Sequence, residues 1–329
     1  MKIVMPGGTG QVGTVLARAF HGEGHEVVIL SRRPERAPWR VLAWDAETLG
    51  DWAAEFEGAD AVINLAGRSV NCRYSPANRR AIKESRVNSA RAVGEAIAGA
   101  TRPPRVWLQM STATIYAHRF DAPNDEATGI IGGAEPDAPA AWRFSIDVAS
   151  SWERVVDESV TPHTRKVLMR AAVIMSPDAG GVFDTLLRLV RFGLGGRSGD
   201  GRQYVSWIHD EDFVRAVHWL IEREELAGAI NLAAPNPVTN AEFMRALREA
   251  WGIRFGAPAT ELMLEAGAFL LRSETELILK SRRVVPATLL ASSFEFNFPA
   301  WPDAARDLCR RYRRDTRGGK ESRQASVAR

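Results

Sequence analysis

Met1-Lys-Ile-Val-Met-Pro-Gly-Gly-Thr-Gly-Gln-Val-Gly13 carries a short apolar segment straight into a glycine-rich turn, and the helix-periodic residues Val15, Leu16, Ala19 and Phe20 follow at once. A second apolar run, Glu26-Val-Val-Ile-Leu30, comes after that helix. This order of strand, turn, helix and strand is what a dinucleotide site needs. Small residues let backbone N–H groups approach a pyrophosphate at a helix N-terminus. Gly7, Gly10 and Gly13 form a G-x-x-G-x-x-G variant, which is a weak signal in isolation because glycine turns also join ordinary strands to helices. Its position between two strand-like runs is what raises it.

Further apolar runs recur along the chain with helical stretches between them: Val41–Trp44, Ala61–Leu65, Val106–Met110 and Lys166–Ala172. Such alternation predicts an α/β fold, a doubly wound parallel sheet with helices on both faces. The polar segment Arg119–Ala141, rich in Pro, Gly and Asp, is expected to be a surface loop near the site. Later the pattern changes. Gly193–Gly196 and Gly199–Gly201 punctuate a loop, Val205–His209 and Asn231–Ala234 are strand-like, and Asp210–Glu225 is helical in pattern. Thr239 is a credible N-cap for a helix over Asn240–Ala250. Residues 256–290 are apolar and helical in pattern, interrupted at Pro286. The expected organisation is a nucleotide-binding domain over residues 1–175, with elements from about 205–235, and a smaller α/β substrate lobe over 176–310.

The 329 residues suffice for a large α/β domain with an appendage. Average apolar content and negative mean hydropathy fit a cytosolic globular protein. No apolar run approaches the roughly 20 residues of a membrane span, so no membrane association is expected. Two cysteines, Cys72 and Cys309, exclude a disulfide framework. The six histidines are scattered, and no metal site is expected. The net charge of +3 is unevenly placed: nine Lys/Arg against three Asp/Glu lie from Arg306 onward, so the remainder is acidic. The Gly/Ser/Arg-rich stretch 316–329 is expected to be a disordered, solubilising tail, with contact to nucleic acid as the lesser alternative.

Eighteen residues beyond Gly13, at the end of the second strand, stands Ser31-Arg32-Arg33. An NAD site usually has an acidic residue here for the ribose 2′-OH. A hydroxyl and two guanidiniums suit a 2′-phosphate instead, and they point to NADP(H) as cofactor. Asp45, at the next strand end, is placed either to hydrogen-bond the adenine amine or to form a simple turn.

Several segments then match one group of proteins in order: Asn64-Leu-Ala-Gly67, Glu84-Ser-Arg86, Ser111-Thr-Ala-Thr-Ile-Tyr116, Trp152-Glu153, Gly201-Arg-Gln203, Ser206-Trp-Ile-His209, Ala234–Asn240 and Ser281-Arg-Arg-Val-Val-Pro286. Over about residues 1–310 the chain resembles the sugar-epimerase-like, atypical short-chain dehydrogenase/reductase family that carries a C-terminal domain of unknown function. The resemblance implies a Rossmann-like fold and NADP(H) binding. It implies that Gly7, Thr9, Gly10, Gln11 and Val12 cradle the pyrophosphate, and that Ser31 and Arg32, with Arg33 beside them, meet the 2′-phosphate. Leu65, Ala66 and Gly67 would pass under the adenosine ribose, Arg86 would reach back to the cofactor, and Ser111 would border it. Extended members often dimerise through helices flanking the sheet, so a homodimer is an expectation.

Reduction of a carbonyl needs a proton donor, commonly a Tyr whose pKa is lowered by a Lys four residues on. Tyr74, Tyr116, Tyr204 and Tyr312 are followed at that spacing by Asn78, Phe120, Ile208 and Thr316, so no Y-x-x-x-K exists. Aligned on Trp152-Glu153, the pair falls at Ser145 and Ala149. Thr112 keeps the place of the hydrogen-bonding Ser/Thr, and Tyr116 is either a displaced acid or packing beneath the nicotinamide. Arg202, Gln203, Trp207 and His209 are expected substrate contacts, with a buried structural histidine as the alternative at His209. Two readings follow. One is an NADP(H)-dependent oxidoreductase or epimerase-like enzyme acting on a small polar or sugar-like molecule; the other is a non-catalytic NADP(H)-binding sensor.

Overall fold

The computed structural model describes residues 1–135, 138–260, 263 and 276–327. Most of the expected helical run 256–290 therefore lies outside the described residues. Seven strands form one parallel sheet: β1 (Lys2–Pro6), β2 (Glu26–Ser31), β3 (Arg40–Ala43), β4 (Ala61–Asn64), β5 (Val106–Thr112), β6 (Arg165–Ala171) and, far later in the chain, a strand at Gly228–Leu232. The spatial order places β3, β2, β1, β4, β5 and β6 in turn, with Gly228–Leu232 on the outer edge of β6. The order in which strands are added reverses between β1 and β4, the crevice where doubly wound sheets bind ligands.

These strands are apolar at consecutive positions because both faces are covered. Ile3, Met5, Val27, Ile29, Ala61, Ile63, Val106 and Leu108 point to one face, where Leu16 and Phe20 of α1 (Gln11–Gly22) meet Phe213, Val217 and Leu220 of another helix, Asp210–Glu222. The alternate residues Val4, Val28, Leu30, Val62 and Trp107 pack on the other face against α2 (Pro76–Gly99) and α3 (Ala140–Glu158). Truncating the fully buried Trp107 would cost about 3–5 kcal/mol. Ser75 caps α2 by accepting from the Asn78 amide, with Pro76 at the first helical position, where its missing N–H costs nothing.

The smaller lobe has its own apolar cluster of Phe183, Leu187, Trp207, Phe243, Leu247, Trp301 and Leu308. Thr239 caps the helix Asn240–Trp251 through a full capping box with Glu242, and Gly252 ends it in the left-handed region. The expected strand Val205–His209 is broken at Ser206: Tyr204–Val205 and Trp207–His209 join different small sheets. Ser206 instead bonds sideways, donating its hydroxyl to the Arg282 carbonyl and accepting from the Val284 amide. The final helix runs Trp301–Val327, so the polar stretch from Thr316 is helical rather than unstructured up to Val327. Extending a packed helix requires no new nucleus.

Candidate cofactor and active site

Helix α1 begins at Gly10, whose extended backbone offers no side-chain cap. The first amides of the helix are therefore left for a ligand, at the positive end of its dipole. The three glycines do different things. A Cβ on Gly7, which has φ of +74°, would lie 2.5 Å from the Ala66 Cα. One on Gly13 would overlap Gly8, 2.5 Å from its carbonyl carbon. One on Gly10 would meet nothing within 4 Å. Gly7 and Gly13 thus let the turn close on the sheet and helix, whereas Gly10 faces open space. Beside it, the buried Nε2 of Gln11 has no hydrogen-bond partner among the described residues. Open room, uncapped amides and an orphaned amide nitrogen fit a diphosphate.

At the adenosine end, the buried Ser31 hydroxyl accepts from the Arg33 amide, donates to the Arg33 carbonyl and lies 3.3 Å from the Thr9 hydroxyl. Its task is to turn the chain so that Arg32 and Arg33 emerge exposed. Arg32 lines a cavity of about 580 Å³ with Trp44, Asp45, Thr48, Leu49 and Trp52, and Arg33 is not among its lining residues. Asp45 caps its own turn, accepting from the Glu47 and Thr48 amides and the Thr48 hydroxyl. The Thr48 bonds hold its carboxyl down at about 2.

Leu65, Ala66 and Gly67 leave β4 across the crevice from Gly7. Asn64 fixes their path: it accepts from the Ala66 amide and donates to Gln109 at 3.0 Å, and Gln109 also accepts from the Trp107 indole. Arg86 reaches back from α2, donating to the carbonyls of Arg68 and Ile82 and lying over the Trp152 ring. Among the described residues it has no carboxylate partner, and burial lowers its guanidinium to about 10, still charged at neutral pH.

The end of β5 is internally satisfied. Ser111 donates to Glu153 at 2.5 Å, Glu153 grips Arg170 with both oxygens, and Arg170 donates to the Tyr116 hydroxyl at 3.0 Å. Tyr116, only 2% exposed, donates onward to Asn231 at 2.9 Å. Burial raises its pKa, so the phenol keeps its proton. The displaced-acid expectation for Tyr116 is therefore corrected: its hydroxyl is locked between Arg170 and Asn231. Ser111 is likewise spent on Glu153. Thr112 is half-buried and accepts from the Thr114 amide, while its own proton has no acceptor among the described residues.

Where a Tyr/Lys pair would stand, the C-terminal segment has moved in. Ser145 donates a short hydrogen bond to Glu276. Ala149 packs with Tyr116 and Val284. The buried Lys280 donates to the Thr114 carbonyl at 2.8 Å, and Arg282 to the Thr114 hydroxyl at 3.2 Å. Burial, then the charge of Arg282, push Lys280 down to about 8 against the pull of Glu276. Sequence reasoning missed Glu276, Lys280, Arg170 and Asn231 because no local spacing marks them, although Ser281–Pro286 and Glu153 lay inside matched segments.

The loop expectations fare unevenly. Trp207 is fully buried against Trp301, so its substrate role is corrected to core packing. His209, 0% exposed, stacks on Phe298 and caps the helix Asp210–Glu222 by accepting from the Glu211 amide, which is the structural alternative. Gln203 is buried and donates to the Ser198 and Ile278 carbonyls, tying the loop to the C-terminal segment. Only Arg202 of the four is exposed.

Comparison with known proteins agrees with this geometry. Residues 3–139 match the NAD dependent epimerase/dehydratase family, and residues 259–308 match a domain of unknown function, DUF1731. An epimerase family protein of Mycobacterium leprae is 31% identical, covering 90% of this chain and 91% of the relative. The Bos taurus epimerase family protein SDR39U1 is 30% identical over 94% of this chain and 99% of its own. The chain belongs to the NAD dependent epimerase/dehydratase family. A crystal structure of the human family member SDR39U1 (isoform2) with NADPH superposes with a TM-score of 0.82 at 28% identity, covering 94% of this chain and 99% of that one. MoeE5 in complex with UDP-glucuronic acid and NAD, at 17% identity and a TM-score of 0.72, shares the fold.

Proposed function

We propose that the protein is an NADP(H)-dependent oxidoreductase or epimerase-like enzyme acting on a small polar or sugar-like molecule. The supporting observation is the uncapped start of α1 beneath the open space at Gly10, with Arg32 lining a cavity at the neighbouring strand ends. When bound, the nicotinamide donates or accepts a hydride. Gly7, Thr9, Gly10, Gln11 and Val12 hold the diphosphate, Arg32 and Arg33 meet the 2′-phosphate, and Leu65–Gly67 with Arg86 border the ribose. Thr112 offers its unclaimed hydroxyl proton to a substrate oxygen. Lys280 holds a positive charge beneath the same turn, donating to the Thr114 carbonyl. Exposed Arg202 is available to an anionic substrate group.

Calorimetric titration with NADPH and NADH tests the cofactor assignment. Arg32→Ala is expected to weaken NADPH by about ten-fold or more, as loss of a charge-assisted bond worth roughly 1.5–3 kcal/mol requires, and to leave NADH unchanged. Equal losses refute it. Thr112→Ala should abolish carbonyl-dependent NADPH oxidation while retaining NADPH affinity. The filled place of the Tyr/Lys pair favours a second reading, a sensor that binds NADP(H) without turnover; tight binding with no oxidation across a broad carbonyl panel would select it.

A further inference from the structure

Glu23, His25 and His218 come together at the end of the sheet opposite the glycine turn. Glu23 closes α1, Gly24 turns the chain at φ +82°, His25 precedes β2, and His218 projects from the helix Asp210–Glu222 on the same face. We propose that these three side chains form a Zn²⁺ site with a fourth position left to solvent.

The donor atoms all lie within 4.8 Å of one another. His218 Nε2 is 2.9 Å, and His25 Nε2 3.6 Å, from the same Glu23 oxygen, Oε2. Metal bonds of about 2.0–2.2 Å at tetrahedral angles place neighbouring ligand atoms roughly 3.3 Å apart, between those two separations. The alignment is more telling than the distances. His218 Nε2 is buried and makes no hydrogen bond among the described residues, even though the carboxylate oxygen is so near. An ordinary ion pair would aim the N–H at the oxygen. Here the two atoms sit side by side, as ligands converging on a shared point do.

The surroundings fit a bound cation. His25 turns Nε2 rather than Nδ1 toward Glu23. The His218 ring packs against Phe20 at 4.4 Å, fixing its orientation within apolar walls. Two imidazoles and one carboxylate suit Zn²⁺, and three protein ligands with an open position is a known zinc arrangement. A metal here would clamp the α1–β2 turn to the helix Asp210–Glu222. Linear spacing hides the group, because His218 is remote in sequence from the other two.

The test is calorimetric titration of the chelator-treated full chain, free of any polyhistidine tag, with Zn²⁺, and a parallel titration with Co²⁺ read by visible absorption. One Zn²⁺ per chain is expected, with a raised thermal midpoint and a Co²⁺ band that Zn²⁺ displaces. Glu23→Gln, at an exposed position, and His25→Gln should each weaken binding by more than about ten-fold, with NADPH affinity and the metal-free midpoint unchanged. Absence of saturable binding overturns the proposal, as does full-affinity binding by both variants.

Discussion

The start of α1, just after β1, and the end of β5 lie on either side of β4, yet they are built in opposite ways. At α1 the protein leaves amides uncapped, a side-chain nitrogen unpartnered among the described residues and the space over Gly10 open. At β5, Ser111, Glu153, Arg170, Tyr116 and Asn231 satisfy one another, and Glu276 bonds Ser145 while Val284 packs near Ala149, the two positions of a Tyr/Lys pair. An incomplete set of hydrogen bonds marks a place prepared for a ligand. A complete set marks one committed to holding the fold.

The sharpest way to break this contrast is Glu153→Ala. It strands the buried Arg170 charge and should cost about 3–5 kcal/mol in urea denaturation; a loss under 1 kcal/mol would show that the β5 network is slack. Next comes Lys280. Below pH 8 both folded and unfolded chains carry its proton, and burying the charge costs stability. Between about 8 and 10.5 the folded chain releases that proton first, so the unfolded state binds more protons and stability rises with pH, by about 3 kcal/mol in full. Lys280→Met should remove this rise when unfolding midpoints are followed across the window.

The glycines sharpen the other side. Gly13→Ala should cost about 1–3 kcal/mol because its methyl strikes backbone, and it should lose NADPH as well. Gly10→Ala should keep the thermal midpoint and weaken NADPH alone. The smallest effect is expected for Tyr116→Phe, about 1–2 kcal/mol of stability from the lost hydroxyl bridge with turnover largely retained. Abolished turnover at unchanged stability would restore Tyr116 as an acid.

Legibility followed the same division. The parallel sheet could be read because strands buried on both faces are apolar throughout, and the glycine turn because its function is local to thirteen residues. Thr239 was readable as a cap for the same reason of range. Trp207 misled, and His209 stayed open between two readings, because a substrate loop and a core strand carry the same aromatic and imidazole residues, and only the positions of Trp301 and Phe298 tell them apart. Glu276 and Lys280 were hidden by distance, since they reach Ser145 and Thr114 across more than a hundred residues.

One feature of the sheet bears on how the chain can be divided. Its outermost strand, Gly228–Leu232, is synthesised after Tyr204–His209 of the lobe and returns to hydrogen-bond β6 from Val167 to Ala171. Ending expression after β6 would strip that partner away and bare a row of unpaired amides and carbonyls on an apolar strand, a template for aggregation. Part of the lobe, with Phe183, Leu187 and Trp207, is thus made before the last strand of the sheet and the rest after it, so sheet and lobe are one folding commitment.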